Sequence, residues 1–291
     1  MQQAAICPLP RTVGVSNGAQ PLRPWASYEM LCTQFLRLAL SPKDVQLWSR
    51  RKSMRRCLAL VVGLLCVARP VAGAEVTNEI LAKIDPDKKY LFYLHGVEVE
   101  LKGPDSYSRR FRKTYEYSAI TRSLAERGFV VISEARPNGT KIPDYANKLA
   151  GQVRQLLSAG VPEKNIAVVG HSKGGFIAIA AAGRIASPEV SFVILAGCPL
   201  TTTRDIAGSD ARANFEKIIA SSKAQLTGRF LSLYDSTDSW MGSCREAFDD
   251  SPRLKTREIV LQSGLQPGMG HSLFYAPTRI WIDPAIHWVT E

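Results

Sequence analysis

The sequence predicts an α/β protein with a doubly wound, mainly parallel six-stranded sheet and helices on both faces. From Tyr90 onward, short apolar runs alternate with segments of helical spacing, and the runs are apolar on both faces. Strands buried on both sides and separated by helices are typical of parallel sheets, because right-handed crossovers cover both faces. The loops that follow the carboxyl ends of these strands are therefore expected at one edge of the sheet.

The elements are predicted in order from the period of the apolar residues. Strands are predicted at 90–94, 129–133, 165–169, 190–197, 229–234 and 258–261. Helices are predicted at 119–127, 144–157, 175–182, 212–225 and 277–289. Gly128 and Gly160 follow the first two helices, where glycine commonly ends a helix. The pattern runs without an internal repeat or low-complexity segment after residue 75, which indicates a single α/β domain at 75–291.

The segment before this domain has the pattern of a secretory signal peptide at 54–74. Met54-Arg55-Arg56 precedes an apolar run, 57–68, that is too short to span a bilayer, and small residues lead to Ala74. Cleavage is predicted after Ala74. Leu65 stands before Cys66, where a lipoprotein site needs a small residue. We therefore expect soluble export to the periplasm or the extracellular space, and we do not expect a stable membrane anchor.

Residues 1–53 precede this signal, although a secretory signal belongs at the N-terminus. We favour the interpretation that Met54 is the true start and that 1–53 is upstream sequence. The alternative is a disordered N-terminal extension followed by an uncleaved internal anchor.

The charge balance depends on the same segment. Ten of the 37 Lys and Arg and two of the 26 Asp and Glu precede Glu75, so the remainder carries 27 − 24 = +3. Zinc-finger, RNP and helix-turn-helix motifs are not found, so a nucleic-acid partner is not expected. Of the six cysteines, Cys198 and Cys244 follow the signal. They lie after predicted strand ends and could form a disulfide, with two free buried thiols as the alternative.

The pentapeptide Gly170-His171-Ser172-Lys173-Gly174 joins the predicted strand 165–169 to the alanine-rich helix 175–182. A sharp turn of this kind holds the serine in a strained conformation, and the flanking glycines leave the space that the turn needs. The serine hydroxyl is then raised above the sheet beside a helix N-terminus, whose N–H groups stabilise negative charge. The pattern predicts that Ser172 is a nucleophile.

A serine hydroxyl needs a base within hydrogen-bond reach. His171 is expected to point to the opposite face from its neighbour Ser172. His95, at the end of the first strand, is expected to have a role in the backbone structure there. His287 is expected to lie on the last helix. His271, in a glycine-rich loop after the last strand, is therefore predicted as the base.

The base needs a carboxylate to orient it. Asp238 is favoured because it lies further from the strand end than Asp235, which is the reserve and is expected to cap the turn. The N–H groups of Val97 and Lys173 are predicted to form the oxyanion hole. Neither a phosphate-binding glycine loop nor a cluster with metal-ligand spacing occurs, so no cofactor or metal is expected.

The Gly-x-Ser-x-Gly turn, His95-Gly96 after the first strand and the order Ser172, Asp238, His271 resemble the α/β-hydrolase superfamily. The resemblance implies that these three residues are nucleophile, acid and base, and that the strand before Ser172 is central in the sheet.

The resemblance covers 88–291, with two departures. The two antiparallel strands with which family sheets begin have no room before the first predicted strand. The segment after Gly197 is too short for a large lid. The chain is therefore similar to small, exported bacterial carboxylesterases.

The expected reaction is hydrolysis of a small-molecule carboxylic ester through an acyl-enzyme, with short or medium acyl chains because no large lid encloses the site. The alternatives are a thioesterase or peptidase with the same triad, or an exported non-catalytic binding protein. A basic cluster at 109–113 is expected to be a solvated face, with attraction of an anionic substrate as the alternative. The sequence does not indicate an oligomeric state.

Overall fold

The computed structural model describes residues 74–80, 82–200, 210–249, 251 and 253–291. The predicted extension at 1–53 and, apart from Ala74, the predicted signal peptide lie outside these residues. Within the described part of the chain, no helix is both long and apolar enough to cross a bilayer.

The described residues form nine strands. Seven make one sheet in the order β1-β5-β2-β6-β7-β8-β9, in which all neighbours are parallel, and β3 and β4 pair as a small antiparallel hairpin. The strands are β1 at Glu75–Thr77, β2 at Lys89–Leu94, β3 at Tyr107–Ser108, β4 at Lys113–Thr114, β5 at Phe129–Ile132, β6 at Ile166–His171, β7 at Ser191–Leu195, β8 at Gly228–Asp235 and β9 at Leu254–Leu261.

Seven α-helices lie between and after these strands in the described residues. They are α1 at Val97–Lys102, α2 at Tyr117–Ala125, α3 at Ile142–Ser158, α4 at Lys173–Ile185, α5 at Ala211–Ser222, α6 at Arg245–Phe248 and α7 at Arg279–Thr290. Short 3₁₀ turns occur at Glu163–Asn165, Lys223–Gln225 and Gly270–Tyr275. Helix α4 packs against both α3 and α5, while α2 contacts β1 and β5 and α7 contacts β7 and β8.

The doubly wound parallel class is confirmed, but the sheet has seven strands and not six. The additional strand, β1, occupies the edge next to β5, with Val76 opposite Val131. Three residues are too few to show a periodic pattern, so the sequence did not reveal it. At the other edge, β9 begins at Leu254, four positions before the predicted start, because an edge strand carries exposed polar side chains such as Lys255 and Thr256.

Strand β6 lies in the middle of the sheet, with three strands on each side. All of its residues are buried, and so is most of α4, which follows it directly. Gly174 allows α4 to lie against β2, since a Cβ at this position would overlap the Leu94 carbonyl. This packing fixes the start of α4 at the carboxyl edge of the sheet, where Ser172 is found.

Candidate active site

Ser172 occupies the turn between β6 and α4. Its backbone has φ 53° and ψ −119°, a conformation that is costly for a residue with a side chain. Hydrogen bonds hold it there: the Ser172 N–H donates to the Leu195 carbonyl at 2.9 Å, and the Ser172 carbonyl accepts from the Gly175 N–H at 2.8 Å. A Cβ at Gly170 would overlap the backbone of Gly174. The turn therefore needs both glycines, and it presents Ser172 at the N-terminus of α4.

His271 lies in the 3₁₀ turn Gly270–Tyr275 and is buried. Its Nδ1 is 3.0 Å from Asp238 Oδ2. The other oxygen of Asp238, Oδ1, accepts from the backbone N–H groups of Trp240 at 2.9 Å and Met241 at 3.1 Å. The predicted glycine-rich loop is therefore a packed turn, since a Cβ at Gly270 would overlap the Asp238 N–H group.

Asp235 is buried at the end of β8, and its carboxylate accepts hydrogen bonds from the segments that follow β8 and β9. Its Oδ1 accepts from the Thr237 N–H at 3.0 Å and the Thr237 hydroxyl at 2.5 Å, and its Oδ2 accepts from the Ser263 N–H at 2.9 Å. Burial raises the pKa of Asp235, but these hydrogen bonds outweigh burial and leave the pKa below its ordinary value. Of the two candidate carboxylates, Asp238 is the one bonded to His271.

Ser172 and His271 line the same small cavity of about 20 Å³, which has room for about one water molecule. Aromatic side chains of Phe111, Trp240 and Tyr275 form much of its wall. Among the described residues, the Ser172 hydroxyl makes no hydrogen bond of 3.5 Å or less with His271. Such bonds are often long in the absence of substrate and tighten in the complex.

The expectation that His171 points away from Ser172 is wrong. His171 lines the same cavity, and its ring centroid is 4.8 Å from that of His271. The alternation of side chains holds only along extended backbone, and the positive φ of Ser172 ends it at this position. The Tyr115 hydroxyl is 3.0 Å from His171 Nδ1. Burial, together with the nearby His271, lowers the pKa of His171 well below its ordinary value, so His171 is a neutral neighbour of the candidate base.

The other two histidines are occupied elsewhere. His95 is fully buried, with Nδ1 2.7 Å from the Gly96 carbonyl and Nε2 accepting from the Arg136 N–H at 2.8 Å. These contacts agree with the expected backbone role, and burial followed by the charge of Arg136 lowers the pKa of His95 well below its usual range. His287 is exposed on α7 and lies 3.0 Å from Glu291.

Val97 and Lys173 are the first residues of α1 and α4. The first N–H groups of a helix have no acceptor within that helix, so both are available to a ligand. Val97 lines both the small cavity and a larger chamber, and Lys173 lines the chamber. Helix α1 was not predicted, because its six residues, Val-Glu-Val-Glu-Leu-Lys, have no helical period.

Ser172 also lines the chamber, whose volume of about 530 Å³ is within the range of small-molecule sites. The chamber lies between α1, the start of α3 and one face of α5. Its apolar lining includes Leu101, Ile142, Phe176, Ile218 and Met241. Lys141, Asn214 and Lys217 add polar groups at its wall.

The basic cluster at 109–113 lies in the hairpin β3–β4 and contacts the candidate site. Phe111 is buried, and its ring stacks on His271 with centroids 5.8 Å apart. The guanidinium of Arg110 lies 3.3 Å from the centre of the Trp240 ring. The three arginines of the cluster are exposed, as expected of a solvated face, but Phe111 between them is buried against the candidate base. An aromatic residue within the arginine cluster was the signal that marked this contact.

Cys198 and Cys244 form a disulfide, with an S–S distance of 2.07 Å. It joins the segment after β7 to the segment before α6. The Gly242 N–H donates to the Cys198 carbonyl at 2.8 Å, beside the disulfide. The bridge therefore holds the segment that follows Asp238 against the edge of the sheet. Within the described residues, no group of three or more His, Cys, Asp or Glu side chains is arranged to hold a metal ion.

Comparison with known proteins supports the resemblance. A family model described as an alpha/beta hydrolase matches residues 138–218, which include Ser172 and its flanking glycines. The sequence matches none of the curated proteins with which it was compared.

The solved structures to which this chain is similar include the following three. A monoacylglycerol lipase of Paleococcus ferrophilus is 12% identical, with a TM-score of 0.46, over 69% of this chain and 93% of that one. A lipase-esterase related protein of Clostridium acetobutylicum is 13% identical, with a TM-score of 0.44, over 70% of this chain and 96% of that one. Est1E of Butyrivibrio proteoclasticus is 14% identical, with a TM-score of 0.43, over 72% of this chain and 88% of that one. Over residues 138–218 this chain is therefore similar to the alpha/beta hydrolases, which is the resemblance that its sequence predicts.

Proposed function

We propose that this protein is a serine hydrolase that cleaves carboxylic esters with short or medium acyl chains through an acyl-enzyme. The observation that carries the proposal is the arrangement of Ser172, His271 and Asp238. Ser172, strained at the strand–helix turn, shares a cavity with His271, and Asp238 holds His271 from the other side. Nucleophile, base and orienting carboxylate in this order are the groups that acyl transfer requires.

The proton path follows from the contacts of Asp238. Its carboxylate accepts hydrogen bonds, so Nδ1 of His271 carries a proton and Nε2 has a free lone pair. Nε2 takes the proton of Ser172 as the hydroxyl attacks the ester carbonyl, and then returns it to the leaving alcohol. Water then attacks the acyl-enzyme with the same proton transfer through Nε2 of His271, and the acid is released. The carboxylate of Asp238 stabilises the imidazolium that forms in each half-reaction.

The negative oxygen of the tetrahedral intermediate needs donors that are in place before the reaction. The N–H groups of Val97 and Lys173 have no acceptor within their helices, and both residues line the chamber that Ser172 also lines. The chamber beside them gives the acyl group apolar contacts at Phe176 and Met241. Its volume suits short and medium chains and supports a small-molecule ester as substrate.

The first test is hydrolysis of p-nitrophenyl esters from acetate to dodecanoate by the purified protein and by Ser172→Ala. We expect turnover that is highest for short or medium chains and lost in Ser172→Ala, with an unchanged thermal unfolding midpoint. Ser158→Ala, an exposed serine at the end of α3, is the matched control and should retain full activity. Wild-type turnover in Ser172→Ala would contradict the mechanism. A folded, inactive wild type would favour a binding protein.

We also propose that the protein is exported. The disulfide Cys198–Cys244 supports this, because disulfides persist mainly in oxidising compartments. Expression of the full chain in a bacterial host, followed by N-terminal sequencing of the periplasmic and extracellular fractions, tests it. Glu75 as the first residue is the expected result. Accumulation of uncleaved chain in the cytoplasm would contradict the proposal.

A further inference from the structure

A cluster of three charges, two of them buried and one partly exposed, includes Lys173 of the candidate oxyanion hole. Glu100 on α1 has a side chain only 1% exposed, and its Oε1 lies 2.5 Å from Lys173 Nζ. Its Oε2 lies 3.5 Å from Nε of the fully buried Arg136, an ion pair without hydrogen-bond geometry. Lys173 Nζ also donates to the Thr140 carbonyl at 2.7 Å. Removing three charges from water is costly, so a cluster of this kind needs these close contacts to persist.

The cluster connects the two backbone segments that carry the candidate oxyanion donors. Glu100 is one helical turn after Val97 on α1, and Lys173 is itself the residue whose N–H is the second donor. Arg136 reaches the segment before Val97 from the other side: its guanidinium donates to the His95 carbonyl, and its N–H donates to His95 Nε2. Both donor segments are thereby tied to one carboxylate.

Contacts with the rest of the protein set the position of α1: Val97 to Glu100 are buried, and Val99 packs in the hydrophobic core. A helix of six residues is not stable alone, so tertiary contacts must set its orientation. Where α4 passes β2, the contact is made by Gly174, which has no side chain to interlock with its neighbours. Lys173–Glu100 is the ion pair that joins α4 to α1 among the described residues.

We infer that Lys173 has a second role, in which its ammonium group, held by Glu100, fixes the spacing between its own N–H and that of Val97. Lys173 and Glu100 are positioning residues for the oxyanion hole, and the inference rests on the proposed function. The predicted oxyanion hole uses only the N–H of Lys173. Because donors must be placed before the reaction to stabilise a developing charge, loss of the ion pair lowers the rate of the chemical step more than it weakens substrate binding.

The test is Lys173→Met, which keeps the N–H and leaves Glu100 paired with Arg136. We expect kcat for p-nitrophenyl butyrate to fall by about tenfold, less than the 10²–10³ lost when a donor is removed, with KM within twofold. Affinity for a boronic acid that forms a tetrahedral adduct should fall by a similar factor. Lys173→Arg, which keeps a cation, should recover most of the kcat.

Lys255→Met removes an exposed lysine that pairs with Glu189 at 3.5 Å and lies on an edge strand, and it should leave both constants unchanged. If Lys173→Met does not fold, Glu100→Gln replaces it, with an expected three- to fivefold loss of kcat. Wild-type kcat and boronic-acid affinity in a folded Lys173→Met would overturn the inference. A wild-type protein without esterase activity would instead overturn the proposed function.

Discussion

Replacement of Asp238 by Asn is the perturbation whose effect can be derived most fully from the structure. Asp238 Oδ1 accepts from two backbone N–H groups, those of Trp240 and Met241, and Oδ2 faces His271 Nδ1. An asparagine keeps these two bonds only if its carbonyl oxygen takes the place of Oδ1. Its NH₂ group then points at His271 and donates to Nδ1.

That donor forces His271 into the tautomer with the proton on Nε2, which has no lone pair for the proton of Ser172. The fold is kept, because the side chain has the same shape and the same backbone partners. The expected loss of kcat is therefore about 10⁴-fold, or about 5 kcal/mol of transition-state stabilisation. The assay is steady-state hydrolysis of p-nitrophenyl butyrate, with thermal unfolding measured in parallel.

Asp235→Asn is the matched control, and its cost should fall on stability. Both oxygens of Asp235 accept from Thr237 or Ser263, so one amide NH₂ must face a donor. We expect a loss of about 3 kcal/mol in unfolding free energy, a fall of about 6–12 °C in Tm, and kcat within tenfold of wild type below that temperature. A larger loss of kcat in Asp235→Asn than in Asp238→Asn would refute the assignment of the acid.

Three further predictions concern stability. Cys198→Ser combined with Cys244→Ser opens a loop with a sequence separation of 46 residues and should cost about 4 kcal/mol in chemical denaturation; an unchanged midpoint would contradict this. The pKa values of His95 and His171 are depressed, so the unfolded chain binds two more protons as pH falls below about 6.5, and the unfolding free energy should drop by about 2.7 kcal/mol per pH unit there. A flat urea midpoint between pH 7 and 5 would count against that burial. Gly174→Ala should prevent folding because its Cβ meets the backbone of β2, and a soluble, active variant would show that α4 can move.

The sequence predicted the features that rest on strong local patterns. The fully apolar strand before Ser172 and the glycines on either side required a strand–turn–helix, and Asp238 and His271 followed from their places after strand ends. The structure brings these three residues to one edge of the sheet, with Asp238 bonded to His271.

The parts that the sequence did not predict depend on contacts between distant residues. Glu100 and Arg136 are charged and 36 positions apart, so each resembles a surface residue until the fold buries both. Phe111 was hidden among arginines, and the orientation of His171 depended on a single backbone angle at Ser172. Polar residues buried by tertiary packing carry no periodic signal.

The central claim is that Ser172 is an activated nucleophile. The most direct measurement is peptide mapping by mass spectrometry after the purified protein reacts with a fluorophosphonate probe. We predict a single adduct, on Ser172, that is absent when the protein is unfolded before labelling. A folded protein that acquires no adduct, or one labelled at another serine, would contradict the claim.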